Sequence, residues 1–230
     1  MNYPKLKFRL NRKLDFEMAK EFLNQKKVGG ISFGEYGILK PHPDMRKINL
    51  KSDQDIKKYI DNFYKENIKI LEKELKIFQV RWQTVAKDFF SLCDQLFDHL
   101  AWPKGKYIAY ISIFSCGPRF LDDKTFQVFY EPKYEKETNF CIIHEMLHFQ
   151  FYNYLDKRLK QHKSKDANKI WELSEIFDSL VMWQDENWRK ICAPVRFFYN
   201  YPAFKKKIDK LKPIWDKNKS IELLFDNYLK

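Results

Sequence analysis

The stretch FCIIHEMLHFQFYNY, Phe140–Tyr154, decides how the rest of the chain is read. Within it, His144-Glu145-Met146-Leu147-His148 sets two histidines four residues apart. On a helix, residues i and i+4 share a face, so both imidazoles project the same way and can bind one Zn²⁺. Glu145 then lies where it takes a proton from a water held by that ion. Ile142, Ile143, Met146, Leu147, Phe149 and Phe151 predict a helix embedded on several sides. The alternative is an ordinary helix on which the pattern arose by chance. With five histidines in 230 residues, such a match is expected in on the order of one chain in a hundred.

Working upstream, Thr125–Tyr130 (TFQVFY) and Lys106–Phe114 (KYIAYISIF) are rich in β-branched and aromatic residues and read as strands, the second apolar on both faces. Cys116-Gly117-Pro118 and Asp122-Asp123 predict turns, and Glu131-Pro132 ends the later strand. Before them, Tyr64, Ile68, Leu71, Leu75, Phe78, Trp82, Val85, Phe89, Leu92 and Leu96 recur at spacings of four and three. That seam predicts one long helix from Ser52, opened by Asp53 and Asp55 and stopped by Trp102-Pro103-Lys104-Gly105. A coiled-coil dimer gives a similar pattern, but bulky Phe and Trp on the seam favour packing against the protein's own core. Further upstream, Val28–Leu50 is loop-rich, and His42 between Pro41 and Pro43 is expected to be solvated. Asp15 is expected to cap a short helix, Phe16–Gln25, after a strand at Lys5–Leu10.

Downstream, Arg158–Lys169 is polar and reads as an exposed connection. Ile170–Trp183 (IWELSEIFDSLVMW) predicts a second apolar helix whose acids are Glu172, Glu175 and Asp178. Acids in such a stretch cost free energy unless they are paired or hold a cation, or face solvent. A final helix is expected near Ile221–Leu229.

Composition sets the outer bounds. Hydrophobic residues make up 44% of the chain, enough for a sizeable core, and only six glycines are present. No phosphate-cradling glycine motif occurs. The net charge of +12 suits anionic partners such as nucleic acid, but lysines spread along the whole sequence fit a solubility and coding bias better. No apolar run is long enough to span a membrane, and four scattered cysteines suggest neither a disulfide framework nor a zinc ribbon. A cytoplasmic location is the simplest expectation.

Taken together, these residues resemble the zincin superfamily of zinc metallopeptidases, and within it the gluzincins, over roughly Ile108–Trp183. The resemblance implies an α+β fold, mainly helical, with a small mixed sheet preceding the active-site helix. A single domain over 1–230 is expected: a helical layer (1–105), a zincin-like catalytic core (106–183) and a C-terminal helical segment (184–230). By resemblance His144 and His148 are metal ligands, Glu145 is the general base, and Glu175 is the third ligand with Glu172 as the alternative. Asp178 and Glu172 are possible hydrogen-bond partners of the ligand histidines. The longer metzincin string is absent, and a third histidine ligand would have to be His162, His99 or His42. The resemblance further implies that Thr125–Tyr130 is an edge strand pairing with extended substrate. An oxyanion donor is expected among Tyr152, Tyr154, Tyr199, Tyr201, Arg196 and His162.

The reading favoured by these residues is a zinc-dependent peptidase acting on peptide or protein. A basic nucleic-acid-binding module and a zincin-fold protein that holds zinc without cleaving are the alternatives.

Overall fold

Three strands run parallel through the middle of the molecule, and a fourth, very short one runs against them. In the computed structural model, which describes residues 3–130, 137–160, 166–192 and 202–229, β1 (Leu6–Leu10), β2 (Tyr107–Ser112), β3 (Arg119–Phe120) and β4 (Thr125–Phe129) form a sheet in the order β1-β2-β4-β3. β2 is parallel to both β1 and β4, while β3 is antiparallel to β4. Parallel neighbours need a crossover connection, and residues 113–124 supply the one between β2 and β4. This is the expected mixed sheet in a mainly helical α+β chain.

The crossover from β1 to β2 carries α1 (Arg12–Asn24) and α2 (Asp53–Leu96). Ser52 opens α2: its hydroxyl accepts from the Asp55 amide at 3.2 Å, and Asp53 and Asp55 lie at the positive end of the helix dipole. Its 44 residues span about 66 Å. Ile56, Ile60, Tyr64 and Leu71 pack with α1 residues and with Ile38, Met45, Ile113 and Phe114. Phe78, Trp82, Phe89, Phe90 and Cys93 pack into a larger cluster with the sheet and the later helices. The apolar seam is therefore used within the chain itself. Ile68, assigned to that seam, is 38% exposed.

α2 also ends earlier than expected. Asp98 and His99 take positive φ, 50° and 53°, so the helix closes at Leu96 rather than at Trp102-Pro103-Lys104-Gly105. Trp102 instead belongs to the core.

Two upstream expectations are corrected. Asn11, not Asp15, caps α1, its side chain accepting from the Leu14 amide. Asp15 lies fully buried one turn in, where it accepts from Tyr64 Oη (2.7 Å), Ser112 Oγ (2.6 Å), Gln127 Nε2 (2.7 Å) and the Ile113 amide (3.3 Å). His42 is buried, not solvated: Nε2 is 2.7 Å from the Ile113 carbonyl and Nδ1 is 3.0 Å from Tyr59 Oη. Phe63 and Phe114 meet its ring edge-on.

The chain then enters α3 (Glu137–Arg158), α4 (Ala167–Gln184), α5 (Glu186–Cys192), α6 (Lys205–Asn218) and α7 (Ile221–Tyr228). α3 is apolar nearly all round: Phe140, Ile142, Ile143, Met146, Leu147, Phe149 and Phe151 are buried, as expected of a helix inside a core. No helix among the described residues is long and apolar enough to cross a membrane. Among the described residues no disulfide is formed.

Asp15 makes the fold sensitive to pH. Burial pushes its carboxyl up from 3.8 to about 6, against four donors that pull it down. Its folded pKa is raised, so its stabilising contribution is full below about pH 4 and is lost as pH rises through about 6. A shift of that size corresponds to roughly 3 kcal/mol. Denaturant titrations between pH 4 and 7 are expected to show the wild type losing stability relative to Asp15→Asn as pH rises. A difference that stays constant across this window would show that Asp15 does not titrate there.

Candidate metal centre

α3 brings His144, Glu145 and His148 to its junction with α4, which supplies Glu175 and Asp178. α4 opens on Asp166, whose carboxylate accepts from the Asn168 amide at 2.8 Å. Ile170, Leu173, Ile176, Phe177, Leu180, Val181 and Met182 bury it deeply. Acids at 172, 175 and 178 step round a helix by about 60° each. The face turned to α3 takes the later two, which are 2% and 0% exposed.

The donor atoms form a small triangle. His144 Nε2 and His148 Nε2 are 3.1 Å apart, His144 Nε2 is 3.4 Å from Glu175 Oε2, and His148 Nε2 is 3.4 Å from Glu175 Oε1. A tetrahedral zinc with bonds of about 2.0–2.1 Å separates its neighbouring donors by about 3.3 Å. The two 3.4 Å contacts run to different oxygens of Glu175, and one donor atom from each of the three residues lies within 4.8 Å of the others, close enough to share one ion. Asp178 Oδ2 lies 3.1 Å from His144 Nδ1 and 3.3 Å from His148 Nε2. Glu145 Oε1 is 3.8 Å from His144 Nε2.

The charge count points the same way. Glu145, Glu175 and Asp178 surround the histidines, and Arg119 is the cation they meet, 3.0 Å from Glu175 Oε1 and 3.7 Å from Glu145 Oε2. Against its burial, Asp178 and Glu175 hold His144 well above the ordinary histidine range, and burial raises the Asp178 carboxyl to about 7. With both imidazoles neutral and all three carboxylates ionised, as ligation requires, two negative charges would be left for a divalent cation to balance. Of the nine buried side-chain polar atoms without a hydrogen-bond partner among the described residues, five are here: His144 Nδ1, His148 Nδ1, Glu145 Oε2 and both Asp178 oxygens. Burial, with Arg119 and His144 close by, holds His148 well below the ordinary histidine range, so its lone pair is available. Burial also raises the Glu145 carboxyl.

His144, Glu145 and Glu175 line a cleft of about 210 Å³, walled by Ile31, Phe33, Val128, Phe129 and Phe140, with His148 buried behind them. A second cleft of about 360 Å³ adjoins it, sharing Phe33, Arg119 and Glu175 and lined by Phe22, Tyr152 and Trp171. Larger cavities of about 660 and 650 Å³ contain none of the five histidine and carboxylate residues. Gly117, at φ +58°, turns the chain from β2 into β3 within about 4 Å of Glu145: a Cβ on it would lie 3.9 Å from Oε1.

Not every candidate reaches this site. The Glu172 carboxylate pairs with Lys207 of α6, so the alternative ligand faces away. Tyr154 donates to Glu222, and Tyr152 Oη is 3.4 Å from Ser174 Oγ beside the second cleft. His42 is held by Ile113 and Tyr59, and the His99 side chain is 67% exposed. His162, Arg196, Tyr199 and Tyr201 lie outside the described residues. β4 is not a free edge along its first half, because β3 covers Thr125 and Phe126 and the Gln127 amide donates to the Pro118 carbonyl. Sequence reading missed Arg119. Acids on an apolar helix ask for a cation, but nothing local selects one among 43 Lys and Arg.

Comparison with protein-family models, curated proteins and solved structures finds no match. The class therefore rests on geometry. His144-Glu145-x-x-His148 on one helix with Glu175 from the next, beside a small mixed sheet, matches a gluzincin-like HExxH-plus-glutamate zinc site.

Purified protein is expected to take up one zinc per chain. Glu175→Ala should weaken zinc by more than the roughly 10–100-fold typical of an outer partner, and Asp178→Asn by about that amount. Glu172→Ala should leave zinc affinity unchanged in the same chelator competition. A larger loss in Glu172→Ala than in Glu175→Ala would reassign the third ligand.

Proposed function

We propose that the chain is a zinc-dependent peptidase in which His144, His148 and Glu175 hold the ion and Glu145 is the general base. The observation that carries this reading is the triangle of converging donors with an ionisable carboxylate beside it, facing a cleft. A zinc held by these three residues would supply Lewis acidity and a water of lowered pKa, about 7. Glu145 would accept a proton from the attacking water and return it to the leaving amine. Asp178 Oδ2, 3.1 Å from the far nitrogen of His144, is placed to orient that ring and raise its basicity once Nδ1 donates to it.

The sheet supports a peptide as substrate. The Tyr130 amide donates to Ser112 of β2, so strand alternation turns the Phe129 amide to the other side, beyond the end of β3. Val128 and Phe129 line the cleft there. An extended backbone can pair with this part of β4 while its side chains enter the apolar walls.

Glu145→Gln keeps the shape of the side chain and removes the base. It is expected to retain one zinc per chain and to lose at least about 10²-fold in kcat on an unstructured peptide library. Wild-type turnover in the zinc-loaded variant would rule this mechanism out.

A further inference from the structure

Arg119 lies on β3 with its backbone held opposite Phe126. Its side chain is only 12% exposed, and it forms part of both clefts. Nη2 donates to Glu175 Oε1 at 3.0 Å, and Nη1 is 3.7 Å from Glu145 Oε2. Glu175 Oε1 is also 3.4 Å from His148 Nε2, while Oε2 faces His144 Nε2 at 3.4 Å. Both oxygens of this carboxylate thus reach the histidines, and one of them is engaged by the guanidinium.

We infer that Arg119 is a positioning residue: by holding Oε1 it leaves Glu175 a single oxygen, Oε2, to give to a cation, and by lying against Glu145 it keeps the base on the cleft side of the triad. This rests on the metal reading of His144, His148 and Glu175. One carboxylate oxygen and two imidazoles make three protein donors and leave a position open, as catalytic zinc requires. Freed from Arg119, Glu175 offers a second oxygen, and the site moves toward the higher coordination of oxygen-rich sites. A planar fork whose backbone is tied into a sheet can fix a carboxylate's orientation, whereas a lysine ammonium brings charge without that geometry.

Charge alone forecasts the opposite sign. Removing a cation close to the metal relieves repulsion and tightens binding. Losing a partner that orients a ligand weakens it, typically about 10–100-fold.

The test measures zinc affinity by chelator competition, and visible absorption with Co²⁺ in place of zinc, for the wild type, Arg119→Met and Arg119→Lys. A wild type that takes up neither ion overturns the metal reading, and this inference with it, before Arg119 is touched. Given a wild type that binds, Arg119→Met should bind zinc about 10–100-fold more weakly. Its Co²⁺ bands should fall from the intense four-coordinate pattern to the weak pattern of higher coordination. Equal or tighter binding, or an unchanged spectrum, overturns the inference. Should Arg119→Met fail to fold, Arg119→Lys decides: weaker zinc binding supports positioning, and wild-type affinity overturns it.

Discussion

A pocket of like charge in an apolar interior is the constraint on which the rest of the structure depends. Glu145, Glu175 and Asp178 are at most 5% exposed, and the Arg119 guanidinium and the His144 ring, which the acids hold toward its protonated form, are the cationic groups at hand for them. Ionised carboxylates so deeply placed cost several kcal/mol each unless something compensates them. The surrounding structure must therefore hold these groups where a cation can serve them all. α3, buried on nearly every side, does this, because turning it would carry His144, Glu145 and His148 away from α4 into apolar surroundings. The hydrophobic surface of α3 and α4 is what keeps the histidines and acids facing one another.

A second buried acid governs where the cleft begins. Asp15 collects the Ser112 hydroxyl and the Ile113 amide at the end of β2, the Gln127 amide group from β4 and the Tyr64 hydroxyl from α2. It thereby fixes the point at which β2 stops and the chain turns through Gly117 toward Arg119. The N-terminal helices hold this turn from behind: the Ser115 amide donates to the Gly37 carbonyl at 2.8 Å, and a Cβ on Gly37 would come within 2.6 Å of Cys116 Sγ. The first third of the chain is thus a support for the loop that carries Arg119, and Ile31 and Phe33 add a wall to the cleft.

Which features were legible in the sequence follows from how local their causes are. His144, Glu145 and His148 could be read directly, since their geometry is that of one helical turn. The α2 seam and its Ser52 start were legible for the same reason. Glu175 was legible only by resemblance: three acids spaced by three residues leave the buried face undecided until the packing of α4 is known. Asp15, His42 and Arg119 were misjudged or missed because their partners lie far along the chain. Asp15 bonds Gln127 across 112 residues, His42 bonds Ile113 across 71, and Arg119 meets Glu175 across 56. No local pattern encodes such pairings. The early end of α2 is a similar case, set by positive φ at Asp98 and His99, neither of them glycine.

The same residues invite one rival interpretation, a proton relay through His144 and His148 without a metal; the 3.1 Å contacts between the rings and from His144 to Asp178 fit it, and the Glu175 separations do not. A relay arranges donors and acceptors in series, each pair within about 2.6–3.2 Å. Here both Nε2 atoms turn toward each other at 3.1 Å, and each is 3.4 Å from a Glu175 oxygen. Two imidazole nitrogens facing each other need a proton between them or a cation shared by both. The 3.4 Å separations are long for charge-assisted hydrogen bonds, which run at about 2.7–2.9 Å, yet they are close to the spacing of donors around one tetrahedral ion. The His144 Nδ1–Asp178 Oδ2 contact of 3.1 Å lies on the far side of the ring, where a ligand histidine meets its carboxylate partner. Convergence on a point, rather than succession along a line, is what these side chains share.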